Sequence, residues 1–122
     1  MKLLRKDVLK WIRNLKSGQY RKGKGQLVSP NGSRFCCLGV WADQHGCTWE
    51  EYKDWDKVTG LAPIKKGAKA KHVDQRDGTL EKSLLFGLDE NDQGMLAEIN
   101  DKSKGFGKVI AYIQKEVLPK AK

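Results

Sequence analysis

Arg34-Phe35-Cys36-Cys37-Leu38-Gly39-Val40-Trp41 is the stretch whose reading decides the fold. Upstream stand a turn sequence, Pro30-Asn31-Gly32, and a basic arm punctuated by Gly23 and Gly25. Gln26–Ser29 and Ser33–Cys36 flank that turn and predict two short antiparallel strands, since Asn-Gly supplies the left-handed residue that a tight hairpin needs. The period then changes. Cys37, Leu38, Val40, Trp41 and Gln44 fall on one face at helical spacing, and Gly46 ends the run. Gly39 in mid-helix costs about 1 kcal/mol relative to Ala, so a close approach to another backbone is expected there. The stretch is a scaffold joint in which a hairpin feeds a buried helix.

Working outward, Leu4, Val8, Trp11, Ile12 and Leu15 form one helical stripe, and Gly18 stands where a left-handed C-cap belongs. The opposite face of this first helix carries Lys6, Lys10 and Arg13. At the far end Phe106, Val109, Ile110, Ile113 and Val117 hold a second stripe until Pro119 stops it. Both terminal helices are expected to pack near the Phe35 to Trp41 joint. Leu80 to Leu88 predicts a short helix, and Glu90 to Ile99 another with Asp89 as its N-cap. Thr48 to Glu51 has the spacing of a capping box and predicts a helix carrying Trp49, Tyr52 and Trp55. Gly60 to Gly78 is rich in Lys, Gly and Ala and reads as a long basic loop or irregular hairpin around His72 and Val73. The expected fold is one α+β domain over residues 1–122, mainly helical, with one small antiparallel β-hairpin.

The chain has 122 residues and a net charge of +9, unevenly distributed. Residues 1–25 hold nine Lys or Arg against the single Asp7, a balance of +8. Residues 57–76 and 102–122 contribute +5 each, whereas 43–56 and 89–101 stand at −4 and −5. Basic segments gathered on one face attract phosphate-rich partners through counterion release and steering. No apolar run is long enough to span a bilayer, and the basic start lacks the apolar core and cleavage site of a signal peptide. With three cysteines, an odd number, the expectation is a reducing cytoplasm and no membrane partner.

No motif completes a catalytic constellation, and the expectation is a protein without enzymatic activity, metal or cofactor. Cys36-Cys37, His45-Gly46-Cys47 and His72 lack the paired spacings of a zinc site. Cys36 and Cys37 read as small buried hydrophobes, and a Cys37–His72 nucleophilic pair oriented by Asp74 has no local support. Asp89-x-Asn91-x-Gln93-Gly94 opens like a calcium loop but has Asn100 where a bidentate Glu is required; an acidic helix start is the simpler reading. Asp43 with Glu51 and Lys53 leaves a metal-dependent nuclease or phosphodiesterase as the weaker alternative. Gly23-x-Gly25 lacks the third glycine of a dinucleotide fingerprint.

The constellation that points to a function is Tyr20-Arg21-Lys22-Gly23-Lys24-Gly25, beside Lys10 and Arg13 of the first helix and near Arg34. Arg and Lys neutralise phosphate oxygens, glycine amides approach them closely, and Tyr20 offers a ring for base stacking. Lys10, Arg13, Tyr20, Arg21, Lys22, Lys24 and Arg34 are therefore the expected ligand-binding residues. The ligand is anionic, a nucleotide or a nucleic acid. Trp49 and Trp55 are the remaining aromatic candidates, with burial in the core the expected state of each.

The chain resembles a family of small bacteriophage proteins. Its pattern stands here as Trp11, Ser17-Gly18-Gln19-Tyr20, Gly23-Lys24-Gly25, Phe35 to Val40, Ile99-Asn100-Asp101, and Phe106 with Ile110-Ala111 and Ile113. Thr48 to Gly78 has no counterpart in that pattern. The resemblance implies action in the host cytoplasm against host defence or metabolism, by sequestering a nucleotide signal, binding nucleic acid, or blocking a host protein, and the basic surface suits an acidic host protein in the last case. It assigns no activity residue by residue. Asn100-Asp101 is expected to tie down the loop before Phe106 through side-chain hydrogen bonds.

Overall fold

The computed structural model describes residues 2–55, 57–64 and 79–122. Helix α1 (Arg5–Lys16) buries Val8, Trp11, Ile12 and Leu15, the stripe expected of it. Leu4 instead sits at the N-cap and is exposed, and Leu3 enters the core in its place. Gly18 takes φ +79° just past the C-cap, where an L side chain would be strained.

Helix α2 (Cys37–Gln44) is buried from Cys37 through Ala42 and lies between α1 and a third helix, α3 (Glu90–Lys102). Burial on every side explains why its amphipathic signal is weak. Polar groups fix it to α1 and to the segment that precedes α3. Trp11 Nε1 donates to the Cys37 carbonyl at 2.9 Å, and Trp41 Nε1 donates to the Leu85 carbonyl at 2.8 Å. The two indoles meet at 4.6 Å between ring centroids. Gln44 completes the seam by donating to the Asp7 carbonyl and accepting from Asn14 Nδ2. Gly39 does have another backbone against it: a Cβ there would lie 2.1 Å from the Leu27 carbonyl oxygen.

The turn at Pro30-Asn31-Gly32 forms as expected, with Gly32 at φ +74° and its N–H bonded to the Ser29 carbonyl. The hairpin around it is reduced to a single antiparallel bridge, Val28 to Phe35. Strand β2 (Arg34–Phe35) pairs instead in parallel with β1 (Arg21–Lys22), matching Arg21 to Arg34 and Lys22 to Phe35. The larger hairpin lies elsewhere. Thr48–Asp54 is strand β3 and pairs antiparallel with β4 (Lys57–Ile64), with an irregularity between Tyr52 and Lys53. The helix expected after Thr48 is therefore wrong, as is a loop beginning at Gly60. Trp and Tyr suit a pleated surface, and an extended partner was available to pair with them. Val28 bridges Leu61 as well as Phe35, so one residue joins the two ladders. The remainder of the expected basic loop, residues 65–78, lies outside the described residues, as do His72 and Asp74.

Beyond it, Gln93 grips Leu80 as a strand would, accepting from its N–H at 2.6 Å and donating to its carbonyl at 3.2 Å. Only one 3-10 turn, Lys82–Leu84, forms where a short helix was expected. Asp89 caps α3 as predicted, accepting from the Asn91 and Asp92 amides. The last helix, α4 (Gly107–Tyr112), continues through a π turn (Ile113–Val117) into a 3-10 turn (Leu118–Lys120) that contains Pro119. It packs on α3 and, through Ile113–Val117, on α1, while α3 takes the place beside α2 expected of it. Buried Asp92 holds this end by accepting from Tyr112 Oη at 2.8 Å and from Lys120 Nζ. The architecture is mixed α+β, mainly helical, with a small antiparallel hairpin.

Candidate functional site

The Gly-punctuated arm leaves β1 and crosses beside strand β2, which carries Arg34. Gly23 N–H donates to the Phe35 carbonyl at 2.8 Å, which extends the β1–β2 pairing by one residue. Here the arm is so close that a Cβ on Gly23 would lie 3.1 Å from the Arg34 Cβ. The result is a cleft of about 350 Å³ lined by Lys22, Gly23, Lys24, Gln26, Ser29 and Arg34.

Two polar devices shape the cleft. Asn31 Oδ1 accepts from Ser29 Oγ, Ser33 Oγ and the Ser33 amide, and Ser29 Oγ accepts from the Arg34 amide at 3.0 Å. The guanidinium of Arg34 donates to the Lys22 carbonyl at 3.3 Å, which orients it across the arm. The second device comes from the end of α3. Asn100 is fully buried; its Oδ1 accepts from the Cys37 amide at 3.1 Å and its Nδ2 donates to the Gly23 carbonyl at 2.9 Å. Asp101 Oδ1 accepts from the Gly25 amide at 2.9 Å and from Asn100 Nδ2. One Asn-Asp pair thus anchors the arm and caps α2. This corrects the expected role of the pair at the loop before Phe106, where Ser103 bonds back to the Ile99 carbonyl instead.

Among the expected binding residues, Lys22, Lys24 and Arg34 line the cleft together. Arg21 is exposed and paired in register with Arg34, a like-charge juxtaposition that costs stability unless an anion lies near. Lys10 and Arg13 are exposed on α1 and do not line the cleft. Tyr20 is diverted. Its hydroxyl donates to Asp43 at 2.6 Å and its ring stands edge-on to Phe35. Burial and the Asp43 carboxylate together hold the Tyr20 hydroxyl protonated well above its ordinary range. Nor are the glycine amides available to a phosphate, since those of Gly23 and Gly25 are spent on Phe35 and Asp101. Gln26 and Ser29 line the cleft without having been expected. The Ser29-x-Asn31 spacing before a Gly turn was the signal for the latter.

The alternative chemistries fare differently. Asp43 is committed to Tyr20 and to Trp49 Nε1, at 3.1 Å, which leaves no carboxylate oxygen of it without a partner. Glu51 is exposed on β3. Cys36 and Cys37 are buried, and desolvation raises both thiols, that of Cys36 to about 11, the opposite of nucleophile activation. Trp49 is half-buried against Phe35, while Trp55 is 94% exposed in the turn between β3 and β4, against the expectation of burial. No helix among the described residues is long and apolar enough to cross a membrane.

A family model described as a domain of unknown function (DUF8296) matches residues 4–117, a span that takes in both the arm and its Asn100-Asp101 anchor. No curated protein and no solved structure matches the chain.

Proposed function

Starting from a chain that belongs to the DUF8296 family, we propose that it is a non-enzymatic protein that binds an anionic ligand, a nucleotide or nucleic acid, in the Lys22–Lys24–Arg34 cleft. The observation that carries this reading is convergence. Three cations separated by up to a dozen positions in sequence line one cavity of about 350 Å³, within the range of small-ligand sites. Among the described residues none of the three pairs with a carboxylate. Cations held together without counter-ions repel one another, and a bound anion relieves that cost. The resemblance to bacteriophage proteins adds the setting: a phage accessory protein acting in the host cytoplasm on defence or metabolism.

The test is a titration at low salt with a labelled mononucleotide and a labelled oligonucleotide, against wild type and a Lys22→Ala/Lys24→Ala/Arg34→Ala variant. Heat-released ligand from freshly purified protein is identified in parallel by mass spectrometry. Binding by wild type and its loss in the triple variant are expected. Undiminished binding by the triple variant overturns the assignment.

Trp55 favours a second reading, an inhibitor of an acidic host protein, because exposed tryptophans anchor protein interfaces. Glu50 and Glu51 are exposed on the strand that leads to it, which opposes an acidic partner, so the anion reading stands first. Capture of an acidic host protein that is lost on Trp55→Ala and kept in the triple variant would reverse that order.

A further inference from the structure

A second basic cavity, of about 480 Å³, is built from the residues that directly follow the Asn100-Asp101 anchor of the first. Lys102, Lys104, Gly105, Gly107 and Lys108 line it. The two are linked by direct bonds: Asn100 holds the Gly23 carbonyl, Asp101 holds the Gly25 amide, and Lys102 follows Asp101 in sequence. Gly23 and Gly25 therefore meet Asn100 and Asp101 at one seam, with the cations of the arm on one side of it in the chain and Lys102, Lys104 and Lys108 on the other. We propose that the two cavities form one track for consecutive phosphodiesters, so that the ligand is a nucleic-acid backbone rather than a single nucleotide. This rests on the anion reading of the first cleft and extends it.

Three features support a chain over a small molecule. Lys104 and Lys108 are exposed and, among the described residues, unpaired with any carboxylate; Lys102 is partly neutralised by Glu98 at 2.7 Å. A mononucleotide filling the first cleft would leave that second charge unmatched. Among the described residues no aromatic ring lines either cavity: Tyr20 and Trp49 are bonded to Asp43 and Phe106 is buried. Recognition therefore falls on phosphates, not on base faces, and is independent of sequence. Finally, the Asp101 carboxylate occupies the seam. It repels a phosphate placed there and divides phosphates between the two sides, an arrangement that a polymer satisfies with one molecule where small anions need two.

Counterion release makes the proposal quantitative. Five cations unpaired among the described residues (Lys22, Lys24, Arg34, Lys104 and Lys108) give a log–log salt slope of about −3.5 on a single strand, or roughly a 130-fold loss of affinity between 50 and 200 mM salt. Lys104→Ala/Lys108→Ala should reduce the slope to about −2.1 and that loss to roughly 20-fold. The measurement is fluorescence anisotropy with a labelled 12-nucleotide single strand and a 12-base-pair duplex, with thermal melting to confirm folding. Whichever of the two binds more tightly at 50 mM salt names the strandedness, because the slope per phosphate differs between duplex and single strand. Lys6→Ala/Lys16→Ala, on the exposed face of α1, is the charge-matched control and should leave the slope unchanged. An equal fall in the control overturns the track. So does an unchanged slope in Lys104→Ala/Lys108→Ala when Lys22→Ala/Lys24→Ala/Arg34→Ala abolishes binding, although the first cleft then survives as the site. Indifference of all variants removes the cleft reading as well.

Discussion

Asn100→Ala tests the anchor of the candidate site most directly. The side chain is fully buried and spans two segments, accepting from the Cys37 amide and donating to the Gly23 carbonyl. Truncation leaves the Cys37 N–H, at the start of a buried helix, without a partner, a loss of about 1–3 kcal/mol. The Gly23 carbonyl is part-buried and forfeits a neutral hydrogen bond, about 1 kcal/mol more. The expected destabilisation is thus about 2–4 kcal/mol, or on the order of 10 °C in melting temperature for a chain of this size. Urea unfolding followed by tryptophan fluorescence measures it, with an unchanged m-value as the check that the same transition is compared. Asp101→Ala supplies the contrast. Its carboxylate is exposed and holds the Gly25 amide, so its removal should cost about 1 kcal/mol or less. Where both variants remain folded, Asn100→Ala should also weaken anion binding by loosening the arm. A loss under about 0.5 kcal/mol, the range of indifferent surface substitutions, would refute the claim that Asn100 carries the junction.

Gly39→Ala should fail to accumulate as folded protein, because its Cβ would lie 2.1 Å from the Leu27 carbonyl oxygen, whereas Gly94→Ala, with open space around it on α3, should gain up to about 1 kcal/mol. Thermal melting of both separates close approach from helix propensity. The Cys36 thiol, raised by burial from 9.0 to about 11, stays protonated in the fold after its unfolded counterpart has ionised. Stability contributed by the neutral thiol is therefore complete below pH 9 and falls as pH climbs toward 11, by about 1.4 kcal/mol per unit. Cys36→Ala should make that part of the stability profile shallower, the remaining fall coming from Cys37 and Cys47, whose thiols burial also raises, and native thiols should resist alkylation at pH 8 until denaturant is added.

What could be read from the sequence divides along contact range. The stripe Val8, Trp11, Ile12 and Leu15 predicted α1 because a helix records its burial within a few positions. Asp89 as N-cap and Gly39 as a point of close approach were legible for the same local reason. Thr48 to Glu51 misled because a capping-box spacing is satisfied by chance when no helical stripe follows it. The alternative, a hairpin with the next segment, Lys57–Ile64, had no Asn-Gly or Asp-Gly turn to announce it; Trp55 takes the left-handed φ of +59° there. Three cleft cations, Lys22, Lys24 and Arg34, were named in advance because they lie close in sequence to one another or to the turn that returns the chain. Tyr20 was misassigned because Asp43, its partner, lies 23 positions away, and no local pattern marks such a bond. The second basic cavity was overlooked because its nearness to the arm depends on bonds that span 76 and 77 positions.

Those long spans set a schedule for the protein's synthesis. The arm emerges from the ribosome well before its anchor exists, since Gly23 waits 77 residues for Asn100. At about 5–20 residues per second that delay is roughly 4–15 s. During it the cations of residues 1–25 are carried on a tether without their fixed geometry. The nascent chain can attract polyanions loosely, but it acquires a shaped cleft only once α3 is complete. A ribosome-bound fragment ending before Asn100 should therefore show charge without site.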